Sequence, residues 1–441
     1  MRTRTVVLEK SQVSESRLVT AVEPAYIMMR TPVIDPIRSF DVVVIGGGPA
    51  GATAATLLAK AGHRVGLFER QSFPRFHVGE SLVPAVNLTL AKLGVLERMD
   101  ELGFTQKHGV QFYSPKGPSR PFHFSEVRDE RMHYTWQVLR SEFDRMMFDH
   151  AAKCGAHVET DASVVEVCSE GDAVTGVRVR RLDESEDIVS ARVVLDASGQ
   201  KGVVARERSK QQLIPGLENT AVYAHYQGVT LDLGIDAGST LIYRLDAQSW
   251  IWFIPLKGGV SIGLVTSARE ILRFGQNRDE ILQTAIDQCP ALLERMTNAT
   301  VIGEVRVARD FSYRATVDGG AGWAVIGDAL GFIDPVYSTG LLLSVRSAEI
   351  AALEVTCALA SDQPHPDMHG FSAEWQVAFD RFLPLVRAFY TEDFRFGELS
   401  KQESHRQGLV DLLTGIVDTD EAIGVVAKIE QMFDAEAAAK A

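Results

Sequence analysis

An unbroken apolar run at 41–45 (DVVVI) reads as a buried parallel strand, and it passes straight into glycines and a helical pattern beginning at Pro49. A second apolar run at 64–68 (RVGLF) predicts the neighbouring strand. Beyond a punctuated loop at 72–84, apolar residues return at helical spacing over 85–93, and 111–124 is extended with a turn at 115–117. Arg140 opens a further helix, two strands follow around 156–168 and 173–181, and 191–197 (ARVVLDA) is again a buried strand. The stretch 219–266 alternates apolar and polar residues in the manner of an antiparallel sheet with one covered face. A short run at 323–326 (WAVI) leads to a long apolar helix near 336–360, and 369–441 reads as helices carrying several aromatics. The pattern predicts an α/β chain in which an antiparallel sheet is inserted between pieces of a parallel, nucleotide-type fold.

The junction of the first strand and helix carries chemistry. Gly46, Gly48 and Gly51 stand in G-x-G-x-x-G spacing within GGGPAG. Such a turn is tight, its backbone approaches a pyrophosphate closely, and the helix packs hard against the strand, so side chains are excluded. The anion then meets unpaired N–H groups at the helix N-terminus. Glu69 follows Gly51 by 18 residues at the end of the second strand, the place of an acid that hydrogen-bonds a ribose hydroxyl. Strand, glycines, helix, strand and acid together specify a dinucleotide site and a Rossmann-like fold.

Composition narrows the class. A chain of 441 residues can bury a large core, and its net charge of −13 argues against nucleic acid and anionic membranes as partners. Cys154, Cys168, Cys289 and Cys357 are far apart, which excludes a disulfide framework, and no histidine, His77 included, shows metal spacing. No apolar stretch reaches the length of a membrane span, so a cytoplasmic enzyme is expected. Residues 1–38 carry mixed charge and no signal-peptide core, and read as a disordered extension; Met28 and Met29 offer later starts.

Two further motifs carry a family resemblance. WIWFIP at 250–255 meets W-x-W-x-I-P through Trp250, Trp252, Ile254 and Pro255. FIDPVYSTG at 332–340 meets F-x-x-P-x-x-S-x-G through Phe332, Pro335, Ser338 and Gly340. With PRFHVGESLVPA at 74–85, the chain resembles the flavin-dependent halogenases, within the flavoprotein monooxygenases similar to para-hydroxybenzoate hydroxylase, and among them the branch acting on phenols and on free or carrier-bound pyrroles. The resemblance implies an FAD-binding fold over 39–360 interwoven with a substrate sheet at about 201–312, and a helical region, 361–441, covering the substrate pocket.

It also implies the reaction. FADH2 from a separate reductase meets O2 to form a flavin hydroperoxide, which chloride or bromide attacks. The hypohalous acid travels to a lysine beside a small aromatic substrate, free or tethered to an acyl or peptidyl carrier protein. Lys107, in KHGVQF, matches that lysine. Trp250 and Trp252, two apart on a strand, share a face and would wall the substrate from the flavin. Pro335 would stand near the start of the long helix, whose dipole favours negative charge on the flavin, and Ser338, Thr339 and Gly340 could cradle the halide. Asp328 resembles the acid that holds a flavin hydroxyl, and Arg140 the arginine on the phosphate or adenine side, with an i,i+4 pair to Asp144 as the plain alternative. Glu80 either orders the halide or flavin surroundings or caps a helix with Ser81.

The C-terminal aromatics Trp375, Phe379, Phe382, Phe389, Tyr390, Phe394 and Phe396 are expected over the pocket. Arg381, Arg387, Arg395, Lys401 and Arg406 are either a solvated face or an attraction for an acidic carrier. A hydroxylating flavin monooxygenase and a geranylgeranyl reductase-like enzyme share the nucleotide motifs and remain the competing functions.

Overall fold

The computed structural model describes residues 34–309, 312–391, 399 and 401–440. Strand Ile34–Ile45 lies centrally in the first sheet, parallel to Glu186–Asp196 on one side and to Val65–Phe68 on the other. Trp323–Val325 and His157–Glu159 extend the parallel order outward. Ala162–Glu170 and Ala173–Arg181 form an antiparallel arm on Glu186–Asp196. Val42, Val43 and Val44 are fully buried, as expected of a strand covered on both faces. Helices Pro49–Lys60 and Gly340–Leu359 pack against each other beside this sheet.

The second sheet contains Thr300–Arg309, Asn219–Gln227, Gly259–Ser267, Trp250–Leu256 and Thr240–Arg244 in antiparallel order. Its composition differs from the expected 201–312 insertion. Gly109–Ser114 joins it in parallel with Thr240–Arg244, and Gly117–Pro118 and Phe122–His123 pair onto that strand. The sheet is therefore assembled from two separate parts of the chain, a pairing that alternation within either part does not encode. Along Trp250–Leu256 the two-residue period divides two cores. Trp250 and Trp252 enter the main core, whereas Ile251 and Phe253 pack with Ile281, Leu282 and Ile286 beneath helix Arg278–Asp287.

Helices Ala373–Phe389, Glu403–Thr414 and Asp420–Lys440 close the chain. Trp375, Phe379 and Phe382 are buried within the main core. Phe394, Arg395 and Phe396 lie outside the described residues. Among the described residues no helix is long and apolar enough to cross a membrane, and no cluster of His, Cys, Asp or Glu could hold a metal.

Candidate active site

A cavity of about 530 Å³ runs between the ends of the parallel strands and the second sheet. Gly46, Gly48, Glu69, Arg70 and Arg75 line one end, and Thr240, Ile242, Trp252 and Ile254 the other. Gly46 has φ of +101°, and a Cβ there would lie 2.5 Å from the Ala197 carbonyl oxygen. At Gly51 a Cβ would lie 1.9 Å from the Gly46 oxygen. These two glycines are thus demanded by the protein's own backbone. Gly48 is different: its φ of −74° suits any residue, and an added Cβ would approach only Arg75 Nη2, at 3.6 Å. Its empty side belongs to the cavity.

Helix Pro49–Lys60 has no side-chain N-cap and no acid in its first turn, so its N–H groups are left for a ligand. Glu69 is buried and accepts from Gly47 N (2.8 Å) and Gln71 N (3.0 Å), with Arg75 Nη2 at 3.6 Å. Arg75 also meets Asp144 at 3.1 Å and holds the cationic wall beside Gly48. The i,i+4 pair of Arg140 and Asp144 forms at 2.7 Å, and Arg140 also donates to Val78 O and Gly79 O while lining the cavity. Asp328 accepts from Ser344 Oγ at 3.0 Å and lines the cavity, and burial pushes its carboxyl above the usual range. An extended dinucleotide fits this set: an open glycine cradle, an uncapped helix and an acid near each end.

Pro335 stands near the start of the long helix, in a turn of its own. It opens a separate 3-10 turn, Pro335–Tyr337, and Gly340–Leu359 starts only after Ser338 and Thr339. The break arises at Ser338, whose φ of +58° is left-handed, a conformation that costs a non-glycine residue about 1–3 kcal/mol, and whose N–H donates to Pro335 O at 3.0 Å. Ser338 and Gly340 line the cavity, and a Cβ on Gly340 would strike the Phe332 ring at 2.4 Å. Thr339 is buried with its Oγ1 lacking any hydrogen-bond partner, and the long helix has neither side-chain cap nor first-turn acid. A small anion would satisfy both.

The paired indoles separate. Trp252 lines the cavity, donates to Ser261 Oγ at 3.1 Å and lies opposite Gly263, whose missing side chain makes room for its ring. Trp250, 6.2 Å from it between ring centroids, does not line the cavity. Trp250 instead donates to the Tyr390 hydroxyl at 2.8 Å, and that hydroxyl donates to Asp334 at 2.9 Å. Asp334 also accepts from Asn219 Nδ2 and Val336 N, and its burial raises its pKa to about 6. Phe389 packs on Trp250, Phe112 and Tyr337, which seats the C-terminal helix on this side.

Lys107 is 2% exposed at the end of strand Thr105–Lys107, outside the cavity lining. Its amine donates to Ser81 Oγ (2.8 Å) and Leu82 O (2.9 Å) and faces the Phe124 ring. Burial lowers its pKa to about 7, so the neutral amine is accessible. Glu80 caps no helix: it pairs with His225 Nε2 at 2.6 Å, joining the glycine-rich loop to the second sheet. Arg381 donates to Val417 O and Arg406 pairs with Glu126, so part of the expected basic face is engaged within the protein.

Sequence reasoning passed over Arg75, Ser81 as a lysine partner, Thr240, Asp334 and His225. Arg75, Ser81 and Asp334 carried a signal, since each lies inside a motif already singled out.

Residues 39–351 match the family model for the FAD binding domain. The 1H-pyrrole-2-carbonyl-(peptidyl-carrier protein) brominase of Pseudoalteromonas luteoviolacea is 31% identical over 86% of this chain and 92% of its own length. The corresponding chlorinase of Pseudomonas fluorescens is 26% identical over 90% and 94%. Among solved structures, the flavin-dependent brominase Bmp2 superposes with a TM-score of 0.82 at 29% identity, covering 91% of this chain and 100% of that one. The chain therefore belongs to the flavin-dependent halogenases and is an FAD-dependent enzyme.

Proposed function

We propose that this enzyme halogenates a pyrrole or phenol ring delivered to Lys107, with a pyrrole carried on a peptidyl carrier protein as the first substrate to test. The observation that carries the reading is the buried amine of Lys107, separated from the nucleotide cavity by Ser81 and Thr240, with its pKa lowered by burial to about 7 so that a large share is neutral at pH 7. The carrier-bound pyrroles named for two relatives supply the substrate class.

Gly46, Gly48, Gly51, Glu69, Arg140 and Asp328 would hold FAD, and Pro335 would lie against its ring. Reduced FAD, supplied by a separate reductase in the cytoplasm, furnishes with O2 the two-electron oxidation of halide to hypohalous acid. Thr339 Oγ1 and the N–H groups of Thr339 and Gly340 would hold the halide beforehand beside Ser338, whose own N–H donates to Pro335 O. Trp252 and Glu80 form the wall on the cavity side, and Trp250 stands behind Trp252.

At Lys107 the neutral amine has two protons, matching its two acceptors, and one lone pair. It can donate to hypohalous acid by turning one N–H away from its acceptor. It can also attack halogen: an N–X bond forms, the O–X bond breaks, and hydroxide leaves with an amine proton as water. The ring carbon then takes the halogen and its displaced proton restores the amine.

The test supplies reduced FAD and O2 with chloride or bromide to a panel of free phenols, free pyrroles and a pyrrole-2-carbonyl carrier protein, and follows products by mass. Halide-dependent product on an aromatic ring is expected, with peroxide alone when halide is omitted. Hydroxylated product without halide would overturn the reading.

A further inference from the structure

Lys107 does not reach the cavity, so something must connect them. Three segments meet between them: the loop carrying Ser81, the ribbon of Thr105–Lys107 paired with Thr135–Gln137, and the start of Thr240–Arg244. Close packing of the third depends on Gly238, where a Cβ would lie 1.8 Å from the Gln106 carbonyl oxygen.

Ser81 and Thr240 both line the cavity, and their hydroxyls are 3.0 Å apart. Ser81 Oγ accepts from Lys107, and Thr240 Oγ1 accepts from Gln137 Nε2 at 2.8 Å. Gln137 Nε2 also donates to Gly238 O at 3.0 Å, which fixes the amide's orientation, because the flipped form would set two carbonyl oxygens together. The two hydroxyls own two protons, and their mutual hydrogen bond uses one. The other has no acceptor among the described residues, whichever hydroxyl carries it, and the cavity is the open side of both. Gln137 Oε1, fully buried, likewise has no partner.

We propose that Ser81 and Thr240 form a hydroxyl gate that takes hypohalous acid from the cavity and hands it to the Lys107 amine, with Gln137 as the positioning residue that orients Thr240. The proposal rests on the halogenation reading and on Lys107 as the acceptor. The unused hydroxyl proton binds the oxygen of the acid. Exchange of the Ser81–Thr240 bond then shifts the free proton from Thr240 to Ser81, the hydroxyl bonded to the lysine, without any net transfer. Transfer to the amine forms N–X, breaks O–X and releases water, as above, so the gate itself is neither oxidised nor consumed.

The experiment compares Thr240→Val, Thr240→Ser, Ser81→Ala and Lys107→Met. For each, halogenated aromatic and hypohalous acid captured by a diketone scavenger in bulk solution are measured together, with FAD affinity as a control. Thr240→Val should leave their sum near the wild-type value while the aromatic fraction falls about tenfold, the effect of one hydrogen bond, and Thr240→Ser should restore it. In cofactor-free protein, Ser81→Ala should move the Lys107 titration, read by carbon NMR at Cε, to lower pH, because an acceptor that favours the ammonium is gone. Wild-type partition in Thr240→Val, or an unmoved Lys107 titration in Ser81→Ala, would overturn the gate. If Lys107→Met loses aromatic product while Thr240→Val keeps it, the gate fails and the lysine stands. If Lys107→Met retains full product, the lysine reading fails and the gate fails with it.

Discussion

Gly48 and Gly51 should respond to the same substitution in opposite ways. At Gly48, φ of −74° and ψ of −177° are open to any residue, and the new Cβ sits at ordinary contact distance from Arg75 Nη2. Alanine there restricts the unfolded chain, a gain of about 0.4–1 kcal/mol. It is also a poorer N-cap than glycine, a loss of similar size. Gly48→Ala should therefore be within about 1 kcal/mol of the wild type in cofactor-free form. Gly51→Ala drives a Cβ to 1.9 Å from the Gly46 oxygen, so strand and helix must part, costing about 1–3 kcal/mol or more. The cofactor sees the reverse hierarchy at Gly48. A methyl group in the space of a pyrophosphate should weaken FAD binding by about ten- to a hundredfold, and Gly48→Val should abolish it. Thermal unfolding without FAD and quenching of flavin fluorescence on titration separate the two effects. A Gly48→Val protein that binds FAD like the wild type would refute the cradle, and one that fails to fold without FAD would refute its independence from the protein's own packing.

Two other substitutions test the buried charges. Lys107→Met should retain FAD and lose halogenation. In the wild type, the folded amine titrates near 7 and the unfolded one near 10.5, so between those values the unfolded state holds the extra proton and stability rises with pH. Denaturation midpoints at pH 7 and 9.5 should show this gain, on the order of several kcal/mol, in the wild type and not in Lys107→Met; an equal pH response in both would remove the amine as its source. Asp334→Asn should cost about 1–3 kcal/mol, because the new NH2 must face either Val336 N–H or the donors Tyr390 and Asn219. Asp334, with its folded pKa raised to about 6, takes up a proton on folding between about 4 and 6, so its contribution weakens as pH rises through that window. The variant should lack this slope, and an unchanged midpoint at pH 7 would show that the network carries little.

The glycine loop was legible because its constraints are local. A tight turn, a strand feeding it and an acid after the next strand are all fixed by short-range geometry, and Gly46, Gly51 and Glu69 occupy the places those rules assign. The two-residue period likewise put Trp250 and Trp252 on one face. It could not say what covers each, because Tyr390 arrives from a helix 140 residues later and takes the Trp250 N–H out of the cavity wall. The chain of contacts that starts at Lys107 was hidden for the same reason: Ser81, which it bonds, and Thr240 and Gln137, which follow, come from three segments joined only in the folded chain. Pro335 stands near the long helix as read, but the gap between them was not legible. Its ring suits the first turn of any helix, and only the left-handed Ser338, unreadable from residue type, makes that turn a separate one.

The proposed roles of Trp252 and of the Ser81–Thr240 pair would solve one problem from two sides. A halogenase must deny its aromatic substrate access to the oxidising cofactor while letting the oxidised halogen cross. On the proposed reading, the packed indole of Trp252, held by Ser261 and seated against Gly263, would reject an aromatic ring by volume. A neutral acid of two heavy atoms needs far less space, and what it loses on leaving water is its hydrogen bonds. Hydroxyls that can donate or accept as needed offer replacements at each position, whereas a charged side chain would bind the acid too firmly in one place or react with it. A reacting amine would therefore belong beyond the hydroxyls, where Lys107 stands. Placed at the cavity surface it would be solvated and protonated at pH 7, and its lone pair would be lost to the reaction.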